Sequence, residues 1–201
     1  FLEDTRQAAD IITRNLSRAG ALVTSFKQVA VDQTSSNRRK FSLASLVSEI
    51  LLTLSPTLRK SACAVSVDVA DSLHMDSYPG PLGQVLTNLI NNALVHGFPE
   101  NQAGTIAITA GMEDAHCVVL QVQDDGRGIQ NADLPHVFEP FFTTRMGQGG
   151  SGLGLHIVHN LVTSVLGGTI VAQSEPGRGA KFRLTIPCTV ADRQDNQPIA
   201  N

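Results

Sequence analysis

Asn88 and Asn92 lie four residues apart in NLINNAL, among Val85, Leu86, Leu89, Ile90 and Ala93, which recur at helical spacing. On a helix the two carboxamides share a face. Buried without partners they would be costly, so they either satisfy each other or the backbone, or serve a ligand. An asparagine oxygen is a neutral hard ligand for Mg2+, an ion that otherwise keeps water and substrate phosphates around it. Further along, an apolar strand pattern runs into QDDGRGI, where Asp124, Gly126 and Gly128 form a DxGxG array. Two glycines let backbone approach a ligand, and a carboxylate at a strand end accepts a hydrogen bond from an exocyclic amine. That geometry selects adenine over guanine, which carries an acceptor at the same position. DG is also an ordinary turn dipeptide. VFEPFFTTR then places Phe138, Phe141 and Phe142 within five positions, either as a satellite cluster under a loop or as a folded-over lid. Last, residues 147–154 hold five glycines directly before an apolar helical pattern, Leu155, Ile157 and Val158. Backbone N–H groups at a helix start attract phosphate when no side chains intervene, and Arg145 just upstream adds a full charge for a terminal phosphate.

These residues need a frame. Leu2, Thr5, Ala9, Ile12, Leu16, Ala19, Val23, Phe26 and Ala30 are spaced alternately by three and four, a heptad seam that predicts a helix packing on a second helix or a second chain. QTSSNRR, residues 33–39, breaks the pattern. Ser42 is the expected N-cap of a helix carrying Leu43, Leu46, Val47, Ile50, Leu51 and Leu54, with Pro56 near its end or at a kink. Strand patterns are expected over residues 64–70, 105–110, 117–123, 168–174 and 180–186, with turns at MEDAH and EPGRG. Helices are expected from Pro81 to Gly97 and from near Ser151. The sum is a two-layer α/β (α+β) sandwich, a mixed and largely antiparallel sheet with helices on one face. The expected units are a heptad helix over residues 1–34, an α/β domain over 40–188 and a disordered tail over 189–201.

Composition narrows the partners. In 201 residues, 15 basic and 18 acidic side chains give a net charge of −3, offering no broad cationic surface to nucleic acid or an anionic membrane. Cys63, Cys117 and Cys188 are widely spaced and read as free thiols in a reducing, cytoplasmic setting. No apolar run reaches membrane-spanning length, and a chain opening on Phe1 is expected to be a piece of something longer, whose parent is anchored or not by segments upstream.

The order NLINNAL, DDGRGI, VFEPFFTTR, GGSGLGL resembles the N, G1, F and G2 boxes of sensor histidine kinases, members of the Bergerat-fold ATPase superfamily shared with gyrase and MutL. The resemblance covers residues of about 40 to 187, and the heptad helix is similar to the second helix of the family's dimerisation and phosphoacceptor domain. It implies ATP with Mg2+ on Asn92, adenine on Asp124, and backbone approach at Gly126, Gly128 and Ile129. It also implies a lid from about Phe138 to Gly150, with phosphate-side contacts from Arg145, Gly150, Ser151, Gly152, Leu153 and Gly154. Transfer of the γ-phosphate to a histidine, relay to a response regulator and homodimerisation through the N-terminal helix follow from the same resemblance.

Departures from the family pattern sharpen this. Where the superfamily's hydrolases carry a water-activating Glu one turn before the metal Asn, this chain has Asn88, which cannot act as a carboxylate base; phosphoryl transfer is expected over hydrolysis. Val95 stands where a Lys or Arg is frequent, so that a phosphate contact is either missing or passed to His96 or Arg145, and Ala180 stands where a hydroxyl is common. The six histidines begin at His74, so none lies on the heptad helix, and this chain is expected to bind nucleotide without labelling itself. His156 and His159, spaced like a metal pair, are expected to be structural because no third ligand is evident. A hydrolysing ATPase of the same superfamily and a non-catalytic nucleotide-binding or dimerisation module are the alternatives.

Overall fold

The computed structural model describes Arg6, Gly20 and residues 37–98, 102–144 and 151–190. Arg6 and Gly20 are helical, and the rest of the expected heptad helix lies outside the described residues, as does the chain beyond 190.

The chain enters the domain as strand β1 (Arg39–Ser42) and turns at once into helix α1 (Leu43–Leu58). Ser42 is the N-cap, its Oγ accepting the Ser45 N–H at 3.4 Å, and Pro56 falls in the last turn, where the helix ends. Leu43, Leu46, Val47 and Leu54 form its buried stripe. Strand β2 (Cys63–Val69) follows, then β3 (His74–Ser77), helix α2 (Pro79–Asn92), β4 (Gly104–Met112) and β5 (Cys117–Asp124). A short helix α3 (Gly154–Asn160) precedes the hairpin of β6 (Thr169–Ser174) and β7 (Ala180–Pro187).

Five strands form one sheet in the order β2-β4-β5-β7-β6, with β2 parallel to β4 and every other pair antiparallel. Period-two alternation fixes the register. Ile108 faces Val122, Val122 faces Phe182, and Leu120, Leu184 and Ile170 continue the same buried face. Against that face lie the helices, α2 packed between α1 and α3 with Leu82, Val85, Leu86, Leu89 and Ile90 buried. Burying a side chain of this size is worth about 1.5–3 kcal/mol, so the apolar alternation suffices to hold sheet and helices in one core. The expected layered sandwich is what forms. Val65, Val67 and Val69 share one face of β2, the sheet-edge strand; Val65 and Val69 pack against the core, whereas Val67 is 45% exposed. The MEDAH turn is closed by Asp114, whose Oδ1 accepts the N–H groups of His116 at 2.7 Å and Cys117 at 2.8 Å; those bonds hold its carboxyl below the usual range.

A second, two-stranded sheet joins β1 and β3 antiparallel, with Arg39 opposite Ser77. Its strands are four residues each, RKFS and HMDS, too short and polar to show alternation in the sequence. Asp76 is its hub. The Arg38 guanidinium grips both carboxylate oxygens at 2.9 and 3.1 Å and holds that carboxyl below the ordinary aspartate range, while the Asp76 backbone pairs with Cys188 and Val190. Thr189 and Val190, placed with the tail by sequence, therefore run beside β3, and Val190 is buried.

Ser77 is fully buried, and its Oγ has no hydrogen-bond partner among the described residues. An unpaired buried hydroxyl costs about 1–3 kcal/mol. Ser77→Ala is accordingly expected to raise unfolding stability by about 1 kcal/mol in urea titration; a loss of stability would contradict this account of the hydroxyl.

Candidate functional site

Helix α2 starts at Pro79, two residues earlier than the sequence suggests, since Pro79 itself fits the first helical position after Tyr78. Its apolar face is spent on the core, so Asn88, Asn91 and Asn92 lie toward the opposite side and line a cleft. Past Asn92 the helix widens into a π-turn, Ala93–Gly97, which carries Val95 and His96 onto the same cleft and ends at Gly97. The Gly97 carbonyl accepts the Arg127 N–H at 2.8 Å, and a Cβ on Gly126 would run into that carbonyl. The first glycine of DxGxG is therefore required by the close approach of loop to helix end.

Asp124 is the last residue of β5 and is 4% exposed. Its Oδ1 accepts the Gly126 N–H at 3.0 Å and the Ala180 N–H at 3.3 Å. Among the described residues both bonds fall on that one oxygen, leaving Oδ2 for another donor. Burial pushes the carboxyl above the ordinary aspartate range; the two N–H groups oppose the shift and the neighbouring Asp125 charge adds to it. Asp125 points elsewhere, its Oδ1 accepting the Thr105 N–H at 2.7 Å.

The glycine loop closes the other side. The Gly152 carbonyl accepts the Phe141 N–H at 2.8 Å, and both residues have positive φ, 68° and 67°. A Cβ at Gly152 would meet the Phe141 backbone. This left-handed residue also explains why α3 begins at Gly154 and not near Ser151, because no α-helix accommodates it. Ser151 Oγ instead accepts the Leu153 N–H at 3.3 Å, ordering the entry.

Between these walls lies a cleft of about 480 Å3, within the range of small-molecule and cofactor sites. Asn88, Asn92, His96, Gly128, Ile129, Ser151, Gly152 and Gly154 line it together. Asp124 and Gly126 sit behind the lining, Asp124 between Gly97 and Ala180. Leu153 is buried in the core. Arg145 and Gly150 lie outside the described residues. Of the aromatic trio, Phe142 lines the cleft, whereas Phe138, the expected start of the lid and a nucleotide contact on the family resemblance, packs on Phe182 and His159 with ring centroids 6.4 and 5.5 Å away. Its place is core packing because the VFEP turn folds onto α3. His156 bridges the same turn, its Nδ1 3.0 Å from the Phe138 carbonyl and its Nε2 3.1 Å from Asn160, so it and the stacked His159 are structural.

A family model described as "Histidine kinase-, DNA gyrase B-, and HSP90-like ATPase" matches residues 78–190. The chain belongs to this ATPase family. Among curated proteins it is similar to sporulation kinase A of Bacillus subtilis (strain 168), 29% identical over 187 residues, covering 92% of this chain and 30% of that one. It is similar as well to sensor histidine kinase ZraS of Escherichia coli (strain K12), 31% identical over 195 residues, 96% of this chain and 40% of that one. The chain thus spans less than half the length of either relative. Of solved structures, the nucleotide-free catalytic domain of histidine kinase ThkA superposes with TM-score 0.67 at 29% identity, covering 76% of this chain and 97% of that one. The complex of ThkA with response regulator protein TrrA gives TM-score 0.66 at 27% identity, covering 90% and 50%. This is a sensor histidine kinase ATP-binding domain.

Several residues of this ATPase domain's site escaped sequence reading. Asn91 and Arg127 line the cleft, and Gly97, Ser174 and Gly179 brace the DxGxG loop. Asn91 and Arg127 were visible inside NLINNAL and DDGRGI, and Gly97 at the expected helix end, whereas Ser174 and Gly179 reach the loop from far along the chain and carry no local signal. The three thiols, by contrast, have no place in the site: Cys63, Cys117 and Cys188 are free and half-buried, and burial pushes all three above their ordinary range.

Proposed function

We propose that the chain is the ATP-binding kinase core of a two-component sensor, passing the γ-phosphate of ATP to a histidine on a separate helix for relay to a response regulator. The observation that carries this reading is the pairing of a buried, half-satisfied carboxylate, Asp124, with a cleft whose helix wall is carboxamide. Asp124 Oδ2 takes the adenine 6-amino hydrogen, which guanine cannot offer. Gly128 brings backbone close to the base, with Ile129 against it, while Gly126 lets the loop close on Gly97. Ser151, Gly152 and Gly154 present backbone toward the phosphates.

Mg2+ fits as an ion that arrives with the nucleotide. Among the described residues no group of three His, Cys, Asp or Glu could hold a metal unaided, while Asn88 Nδ2, a donor buried without a partner on the cleft wall, suits an oxygen of the phosphates or water that such an ion brings. Asn92 Oδ1 is the ligand of choice, with phosphates and water completing the shell. The bound ion would neutralise phosphate charge. Asn88, one turn earlier, holds a neutral amide where water activation needs a base, so bound ATP is kept for transfer. Arg145 and His96 supply positive or hydrogen-bonding character toward the terminal phosphate. Ala180, though lacking a hydroxyl, serves the site through its N–H on Asp124, which argues against a degenerate nucleotide module.

The response regulator as partner is supported by ThkA, solved with TrrA. Dimerisation through the heptad helix and a cytoplasmic location belong to the same reading; among the described residues no helix is long and apolar enough to cross a membrane. The test is γ-labelled ATP and Mg2+ supplied with a helical hairpin that carries a His followed by Glu. Base-stable, acid-labile label on the hairpin supports transfer; label released only as free phosphate contradicts it.

The proposal also sets a pH dependence. Ionised, Asp124 offers adenine a charge-assisted acceptor with both oxygens free of protons, and its carboxyl lies above the ordinary aspartate range. ATP affinity should be full above that raised pKa and fall as pH drops through it, at higher pH than an ordinary aspartate would give. Calorimetric titration of ATP across acidic pH checks this, and an affinity that holds down to the ordinary aspartate range contradicts it.

A further inference from the structure

The turn between β6 and β7 is fastened to the DxGxG loop by more contacts than a hairpin turn needs. Ser174 Oγ accepts the Ile129 N–H at 2.8 Å and donates to the Gly179 carbonyl at 2.6 Å. Gly177 N–H donates to the Arg127 carbonyl at 2.7 Å. Steric fit agrees: a Cβ on Gly128 would meet the Glu175 carbonyl, and one on Gly179 the Asp124 carbonyl.

One peptide plane stands out. The carbonyl of Gly179 and the N–H of Ala180 belong to the same rigid peptide group. Ser174 holds its oxygen, and Asp124 Oδ1 takes its N–H at 3.3 Å, the longer of that oxygen's two bonds. The result is a continuous line: Ile129 N–H to Ser174 O–H, to the Gly179–Ala180 peptide, to the Asp124 carboxylate. Donors in such a line polarise one another toward the charge at its end. Ala180 has no polar side chain, so this peptide is what the turn contributes to the carboxylate.

We infer that Ser174 is a positioning residue for base recognition, orienting the Gly179–Ala180 peptide and through it the carboxylate of Asp124. This rests on the reading of Asp124 as the adenine acceptor. It extends base selectivity to a residue 50 positions away that touches no nucleotide.

The test compares ATP and GTP dissociation constants for the whole chain and its Ser174→Ala, Ser174→Thr and Asp124→Asn variants. Ser174→Ala should weaken ATP about five- to tenfold, the scale of one lost hydrogen bond near a charge, and leave GTP within twofold. Ser174→Thr, which keeps the hydroxyl, should restore the ATP/GTP ratio. Equal weakening of both nucleotides, or none, would overturn the inference, because a residue that merely braces the fold does not act on the ratio. If Ser174→Ala fails to fold, Ser174→Val, which has no donor and suits a strand, gives the same readout, and a wild-type ratio there overturns it equally. Should Asp124→Asn keep the full ATP/GTP ratio, the reading of Asp124 itself fails; if only Ser174→Ala keeps it, the inference about Ser174 alone falls.

Discussion

Asp124→Asn is expected to lower adenine-nucleotide affinity by tenfold or more, the scale of a charge-assisted hydrogen bond, without destabilising the chain. The two expectations have one cause. Burial makes the ionised carboxylate the unfavourable form, which is why its carboxyl titrates above the ordinary range. A group with a raised folded pKa subtracts stability once pH exceeds that value. A neutral amide removes the penalty while its Oδ1 still accepts the Gly126 and Ala180 N–H groups. What it cannot do is offer two acceptor oxygens, and its amino group meets the adenine amine donor to donor. Isothermal titration with ADP and thermal unfolding of the same samples check both halves. Unchanged affinity would remove the base-binding role; lost affinity with lost stability would leave the role unseparated from folding and contradict the energetic argument.

Asn92→Ala is expected to act on the other end of the nucleotide. Asn92 is the last residue of α2 and half-buried on the cleft wall, so truncation removes a ligand without opening the core. Losing one preorganised group at a phosphoryl-transfer centre costs about 10²–10³ in rate. Transfer from Mg2+·ATP should therefore fall by about that factor, whereas adenosine, which carries neither phosphate nor metal, should bind within twofold of wild type. Label-transfer rates and adenosine titration separate these. Adenosine affinity falling in step with transfer would assign Asn92 to the fold or to the base.

The legible parts of the site are those written in short-range spacing. Asn88 and Asn92 at i,i+4, Asp124 ahead of two glycines, and Gly152 and Gly154 before an apolar helix each need only one turn or loop to bring them into place. Likewise the five-stranded sheet was readable because buried Ile106 and Ile108, Val118, Leu120 and Val122, and Phe182 and Leu184 recur at every second position. Contacts that close through space were not. Ser174 meets Ile129 across 45 residues, and Ala180 meets Asp124 across 56, through backbone atoms that any residue type carries. Phe138 and Phe142 could not be told apart, because which ring faces the cleft depends on the left-handed turn at Phe141. Strands β1 and β3 lacked alternation, since their pairing is secured by the Arg38–Asp76 ion pair and by the segment around Cys188.

If the cleft holds Mg2+·ATP and keeps it intact, mixing the chain with γ-labelled ATP and Mg2+ and following retained label and free phosphate in the same sample will show it. Mg2+-dependent retention should approach one label per chain, displaced by ADP and not by GTP, with free phosphate staying at the no-protein rate. No Mg2+-dependent retention, or steady release of phosphate on every turnover, would contradict it.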